Sequence, residues 1–192
     1  MKRIILTISI ILAAASLAAA QPRSAGIRIG ATGFDATYQH AMNSNQFIEG
    51  NIGLDFGYNS NGKAGFKATA IYNFIWARPA WTQEGSWALY AGPGISIGGV
   101  NDMAVYKLGK ERLGYLDGGF MLAAAVQVGL EYNFEFPLQL SVDIRPYIGM
   151  HLNDGKYYDV IAQENRSYGS TAGFYDNGIM GLIPTLSIRY RF

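Results

Sequence analysis

The chain has 192 residues, with 24 glycines, 13 tyrosines and 15% charged residues, against about 25% charged in an ordinary soluble domain. It has no cysteine, which excludes disulfide frameworks, thiolate chemistry and cysteine metal sites. A formal net charge of +1 gives no broad basic footprint for DNA or RNA.

The first residues read as a leader. Lys2 and Arg3 precede an apolar run from Ile4 to Ala20, and Ala18 and Ala20 set a small-x-small pattern before Gln21. This predicts a secretory signal peptide over 1–20, cleaved after Ala20, and one domain over 21–192. Loss of Lys2 and Arg3 leaves 13 basic against 14 acidic residues. No later segment carries 18 consecutive apolar residues, so helical spans are not expected. An exported chain of this kind is periplasmic, secreted or an outer-membrane barrel.

Period-two alternation fills the rest, and period two means strand. In the first segment Ile27, Ile29 and Ala31 alternate with Arg28, Gly30 and Thr32. The phase slips near Gly33, after which Phe34, Ala36 and Tyr38 oppose Asp35, Thr37 and Gln39; a bulge or bend accounts for the slip. Gly50–Tyr58 and Gly65–Trp76 alternate cleanly around an Asn-Gly turn at 59–63. Ser86–Gly98 alternates too, with Pro93 on the apolar face, where a proline suggests an irregularity. Val126–Phe134 and the stretch from Pro137 to Tyr147 flank a short turn at Glu135. The last segment, Leu182 to Phe192, ends the chain. These are seven strands. A bacterial outer-membrane barrel has an even number, so an eighth is sought in Gly99–Gly118 or Met150–Gly178, with Ala104–Gly109 and Gly155–Gln163 as candidates.

The polar faces are built from Gly, Ser, Thr and Asn with scattered single charges, where a solvent face would carry more Lys and Glu. Glycine-rich faces of mixed charge suit a narrow interior, and the apolar faces then look outward. Tyr58, Trp76, Trp87, Tyr132, Phe134, Tyr147, Tyr190 and Phe192 lie near strand ends, as aromatic rings do at the lipid headgroup level. The expected fold is all-β: a closed antiparallel transmembrane β-barrel, eight strands, with a polar core filling the lumen. Lys67, Glu131, Asp143, Arg145, Arg189 and Arg191 form the expected interior network, since lone charges in a confined site are costly. With both polar faces inward, the hairpin at Glu135 pairs Asn133 with Gln139, Gly129 with Asp143 and Gln127 with Arg145. Glu131 then sits diagonal to Asp143, with Arg145 or Arg189 as the neighbouring cation. The short turns at Ser60–Lys63 and Glu135 suit the periplasmic end, and the long polar stretch 150–178 suits the outer surface.

Three stretches, WALYAGPGISIG (87–98), VGLEYNFEFPLQLSVDIRPYIG (128–149) and the terminal SIRYRF (187–192), resemble the small outer-membrane β-barrel proteins of Gram-negative bacteria, especially the porin-like group of the Bacteroidetes type. The resemblance implies that Tyr190 and Phe192 form the assembly signal read by the barrel-insertion machinery. It implies outer-membrane lipid and lipopolysaccharide as surroundings, a structural or surface-interaction role or a narrow porin-like one, and no cofactor.

Little in the sequence points to chemistry. Small barrels that deacylate lipid A carry a histidine with a serine two residues on; Leu152 and Asn153 follow His151, and Ala41 and Met42 follow His40. His40 with Ser44 and Glu49 is a loose alternative. No helix-opening GxGxxG and no HExxH occurs. Asp154, Asp159 and Asp176 read as solvated loop acids. The expectation is a non-enzyme. Two alternatives stay open: an outer-membrane lipid-modifying enzyme, and a soluble exported barrel binding a small apolar ligand, which would place Phe56, Tyr72 and Leu140 in a cavity.

Overall fold

The computed structural model describes residues 23–56, 64–108, 111–153, 156–159, 164–167 and 171–192. The leader, Tyr58, the 59–63 turn and Asp154 lie outside them.

The first six wall strands follow chain order: β1 (Arg23–Ile29), β2 (Gly33–Asn43), β3 (Gln46–Asp55), β4 (Gly65–Ala77), β5 (Ser86–Leu108) and β6 (Glu111–Asn133). The seventh is built of β7 (Leu138–Ile144), β8 (Tyr147–Asn153) and β9 (Lys156–Asp159), which all pair with β6 in one register. The eighth is built of β10 (Glu164–Ser167), β11 (Thr171–Asp176) and β12 (Thr185–Arg191). All neighbours are antiparallel. β12 pairs with β7 on one side and β1 on the other, from Ser24–Arg191 to Ile29–Leu186, and this pairing closes the ring. The fold is an all-β, closed antiparallel barrel of eight strands. Closure matters because an open sheet edge exposes a row of unpaired backbone groups.

The eighth strand comes from neither expected place. The slip near Gly33 is a hairpin: the Gly30 amide donates to the Gly33 carbonyl at 2.8 Å, and β1 and β2 pair from Arg23–His40 to Ile29–Phe34. Ala104–Leu108 merely lengthens β5, and Lys156–Asp159 lengthens the seventh strand. A two-sided hairpin with a tight turn and a single bulged strand give the same phase break, and short β1 gave no separate signal.

Other expectations need correction. Pro93 stays in register opposite Val126 on β6, while on its β4 side the ladder lacks the Tyr72–Pro93 and Asn73–Gly92 rungs and shifts register at Ile75–Ala77. The last strand begins at Thr185, because Gly178–Leu182 forms a 3-10 turn and Ile183 closes it. The stretches 99–118 and 150–178 carry much strand rather than loop. The connection between β3 and β4 leaves the barrel at the opposite end from the β6–β7 turn, so the two short turns do not share an end. Both described termini lie at the β6–β7 end, where the Arg23 amide donates to the Phe192 carbonyl and the Phe192 amide to that of Arg23.

The faces are inverted relative to a soluble barrel. Glu49 and Gln127 are 0% exposed, and Asp143 and Arg189 are 1%. On the outside Ile52 is 69% exposed and Leu186 63%, with Phe66, Ile95, Val126 and Ile188 also exposed. A smaller apolar cluster of Ile71, Met121, Ala123, Ala125, Tyr147 and Tyr175 fills part of the lumen.

Candidate functional site

The lumen is assembled by strand alternation alone. On β3 the inward positions are Phe47, Glu49, Asn51 and Asp55, and on β7 Gln139, Ser141 and Asp143. Most of these inward residues meet partners from other strands, because the barrel is narrow enough for side chains to span it, while Asn51 bonds Glu49 on its own strand.

Glu49 is the hub. Its Oε2 accepts from Arg189 Nη2 at 3.1 Å and Gln39 Nε2 at 3.1 Å. Its Oε1 accepts from Arg145 Nη2 at 2.5 Å, Asn51 Nδ2 at 3.0 Å and Gln127 Nε2 at 3.5 Å. Arg189 also donates to Thr37 Oγ1 at 3.1 Å and to Ser141 Oγ at 2.8 Å. Thus two guanidiniums share one carboxylate in a fully buried layer. Such pairs need full hydrogen bonding to offset desolvation.

Two further ion-pair groups lie toward the β1–β2 turn. Arg28 bridges Asp143 at 2.8 Å and Asp35 at 3.1 Å. Lys67 pairs with Asp55 at 2.7 Å and lies 5.1 Å from the centre of the Tyr147 ring. A cavity of only about 30 Å³ remains beside them.

The residues expected in the lumen distribute as follows. Lys67, Asp143, Arg145 and Arg189 enter these ion pairs. Glu131 is buried and forms no ion pair among the described residues: its Oε1 accepts from Asn133 at 3.0 Å, and its Oε2 has no partner there. Arg145 and Arg189 turn to Glu49, and Asp143 to Arg28. Arg191 sits half-buried at the rim and donates to the carbonyls of Phe134 and Phe136. The Asn133–Gln139 and Gly129–Asp143 pairs form. Gln127 and Arg145 form no rung of the ladder, because the strand breaks at Arg145–Pro146. Glu49, Arg28, Asp35 and Asp55 complete the network and were not assigned to it from the sequence, where Glu49 entered only as the acid of the His40 alternative. Their signal was the same inward parity, one residue at a time.

The Arg145–Pro146 break is braced by Asn177. Its Nδ2 donates to the Arg145 carbonyl at 3.0 Å, and its Oδ1 accepts from the Tyr147 amide at 2.8 Å. The Arg145 amide donates to the Gly181 carbonyl at 2.9 Å. Residues 177–184 of the eighth strand thereby stand against residues 144–147 of the seventh.

Across the lumen, Phe47 and Tyr90 pack edge-on with ring centres 5.2 Å apart. Past this pair, at the end holding the termini, lies a cavity of about 340 Å³ lined by Arg23, Gln39, Phe47, Glu131, Asn133 and Arg191 among others.

On the outer face at the same end, rings form a chain: Trp81–Trp87 at 5.4 Å, Trp87–Tyr132 at 4.6 Å, Tyr132–Phe134 at 4.6 Å and Phe134–Phe136 at 4.9 Å. Trp76, Tyr190 and Phe192 are exposed nearby. Tyr147 does not join them; it points inward, with its hydroxyl 3.4 Å from Thr69 Oγ1.

The serine-histidine-acid alternative does not assemble. Glu49 is in the lumen, and His40 shares the outward parity of Tyr38. His151 is a buried position on β8, not a rim residue. Among the described residues no group of three or more His, Asp or Glu could hold a metal ion. Phe56 and Leu140 are exposed on the outside, and Tyr72 shares that face. No family model, no curated protein and no solved structure matches this chain.

Proposed function

We propose that this protein is a small outer-membrane β-barrel of structural or surface-interaction type, of the porin-like Bacteroidetes kind its sequence resembles, with a filled lumen and no catalytic role. One observation carries the reading: among the residues whose burial is described, the wall strands turn most of their charged and amide side chains inward and most of their large apolar ones outward. In water an exposed belt of this size would drive association, since monomeric soluble proteins rarely carry apolar patches beyond a few hundred Å². Acyl chains remove that cost. β2 and β3 have 11 and 10 residues, within the 9–11 or so of a tilted spanning strand, and β4 with 13 is long enough to span.

The ring chain at the terminal end would sit at the headgroup level facing the periplasm, with lipopolysaccharide around the other end. Tyr190 and Phe192 would present the signal to the insertion machinery. β5 and β6 pair as far as Leu108 and Glu111, nine residues beyond the last β4 rung at Gly99, or about 30 Å. That projection is the element suited to surface contact with a partner.

The test is fractionation of cells followed by bilayer recording. The reading expects the protein in the outer-membrane fraction, a heat-modifiable gel shift, and no steady conductance, because the Glu49 layer fills the lumen. Recovery from the soluble fraction as a folded monomer would overturn it.

A further inference from the structure

The 340 Å³ cavity at the terminal end is within the size range of small-molecule sites, and its polar groups are of two opposite kinds. Arg23 Nε, Arg23 Nη2 and Arg191 Nε are buried donors with no partner, and Glu131 Oε2 is a buried acceptor with no partner. All belong to residues that line this one cavity. Glu131 is 6% exposed. Arg191 Nη2 donates to the Phe134 and Phe136 carbonyls, and Arg78 Nη2 at the cavity edge donates to the Ser44 carbonyl. Arg191 is thus tethered through Nη2, and both guanidiniums carry donors that no described protein group satisfies.

The two charges select the ligand. A simple anion would satisfy the arginines but meet the Glu131 carboxylate. A simple cation would satisfy Glu131 but meet the guanidiniums. A molecule carrying both groups offers an anion to the two arginines and a cation to Glu131 at once. We propose that the cavity binds a small zwitterion, with its carboxylate or phosphate on Arg23 and Arg191 and its ammonium on Glu131. The Phe47–Tyr90 pair and the Glu49 layer close the far side, so the site is a pocket and not a conduit. The site lies inside the wall and does not rest on what covers the outer face.

The shared chemistry has two sources, a free amino acid and the phosphoethanolamine headgroup of a lipid. Calorimetric titration of the refolded barrel with glycine, glycerophosphoethanolamine, acetate and methylammonium separates them. One zwitterion should bind with one site per barrel, about tenfold or more tighter than either single-charge probe, and the tighter zwitterion names the source. Arg23 Nε and Nη2 make no hydrogen bond among the described residues, so Arg23→Gln should weaken binding about tenfold and leave the heat-modifiable shift intact. Glu131→Gln should abolish the preference for zwitterion over acetate. The proposal is overturned if no probe binds at millimolar concentration to folded barrel, if acetate equals both zwitterions, or if Arg23→Gln binds unchanged.

Discussion

Residue by residue, the interior depends on matching large groups with absent ones. Tyr90 and Gly129 are directly opposed on β5 and β6. A Cβ on Gly129 would run into the Tyr90 ring, so the glycine is what lets that ring lie across the lumen. Gly129→Ala should destabilise the barrel by about 1–3 kcal/mol, the usual cost of overpacking, and Tyr90→Ala in the same chain should relieve the clash. Urea titration of the heat-modifiable band reads both. Glu49 makes the opposite case. Glu49→Gln leaves Arg145 and Arg189 buried beside a neutral partner, and breaking a buried ion pair costs about 3–5 kcal/mol. A loss below about 1 kcal/mol in the same titration would mean that the layer is water-filled. The sequence displayed one side of this network. Lys67, Asp143, Arg145 and Arg189 stood out as isolated charges on polar faces. Which anion each would meet depends on strands far apart in sequence, as with Arg189 and Glu49, and no alternation pattern carries that information.

At the level of elements, the strands were readable wherever one face was uniformly apolar. Parity narrowed the register at the β6–β7 hairpin, because a one-residue slip would expose every inward side chain, and the Asn133–Gln139 pairing taken among the allowed ones is the one that forms. What failed was segmentation. A tight turn at Gly30–Thr32 looked like a bulge within one strand, and the count fell one short. The interrupted seventh and eighth strands were the other difficulty. Pro146 lacks an amide, and the ladder between these strands is carried across the gap by the Asn177 side chain. Asn177→Ala should cost about 1–3 kcal/mol, since it strips partners from the Arg145 carbonyl and the Tyr147 amide. Hydrogen exchange supplies the check: the Tyr147 amide should lose protection while amides in the β1–β12 seam keep theirs. Unchanged protection at Tyr147 would show that the brace is dispensable.

The molecule as a whole is a closed wall around a polar filling. Its stability in any solvent follows from two conditions. The seam between β1 and β12 must hold, and the apolar exterior must be covered. Where polar residues concentrate inside, burial of apolar side chains in the lumen cannot be what folds the chain in water, and in the proposed function lipid takes the place of that apolar core. The absence of cysteine makes a direct test simple. Single cysteines carrying nitroxide labels at Ile52, Leu140 and Leu186, and at Thr37, Ser96 and Ser187, can be compared in lipid vesicles. The first three should be relaxed by molecular oxygen dissolved in acyl chains and shielded from a water-soluble nickel chelate. The second three should be shielded from both. Access of the chelate to the labels at Ile52, Leu140 and Leu186 in folded protein would contradict a barrel whose apolar side faces lipid.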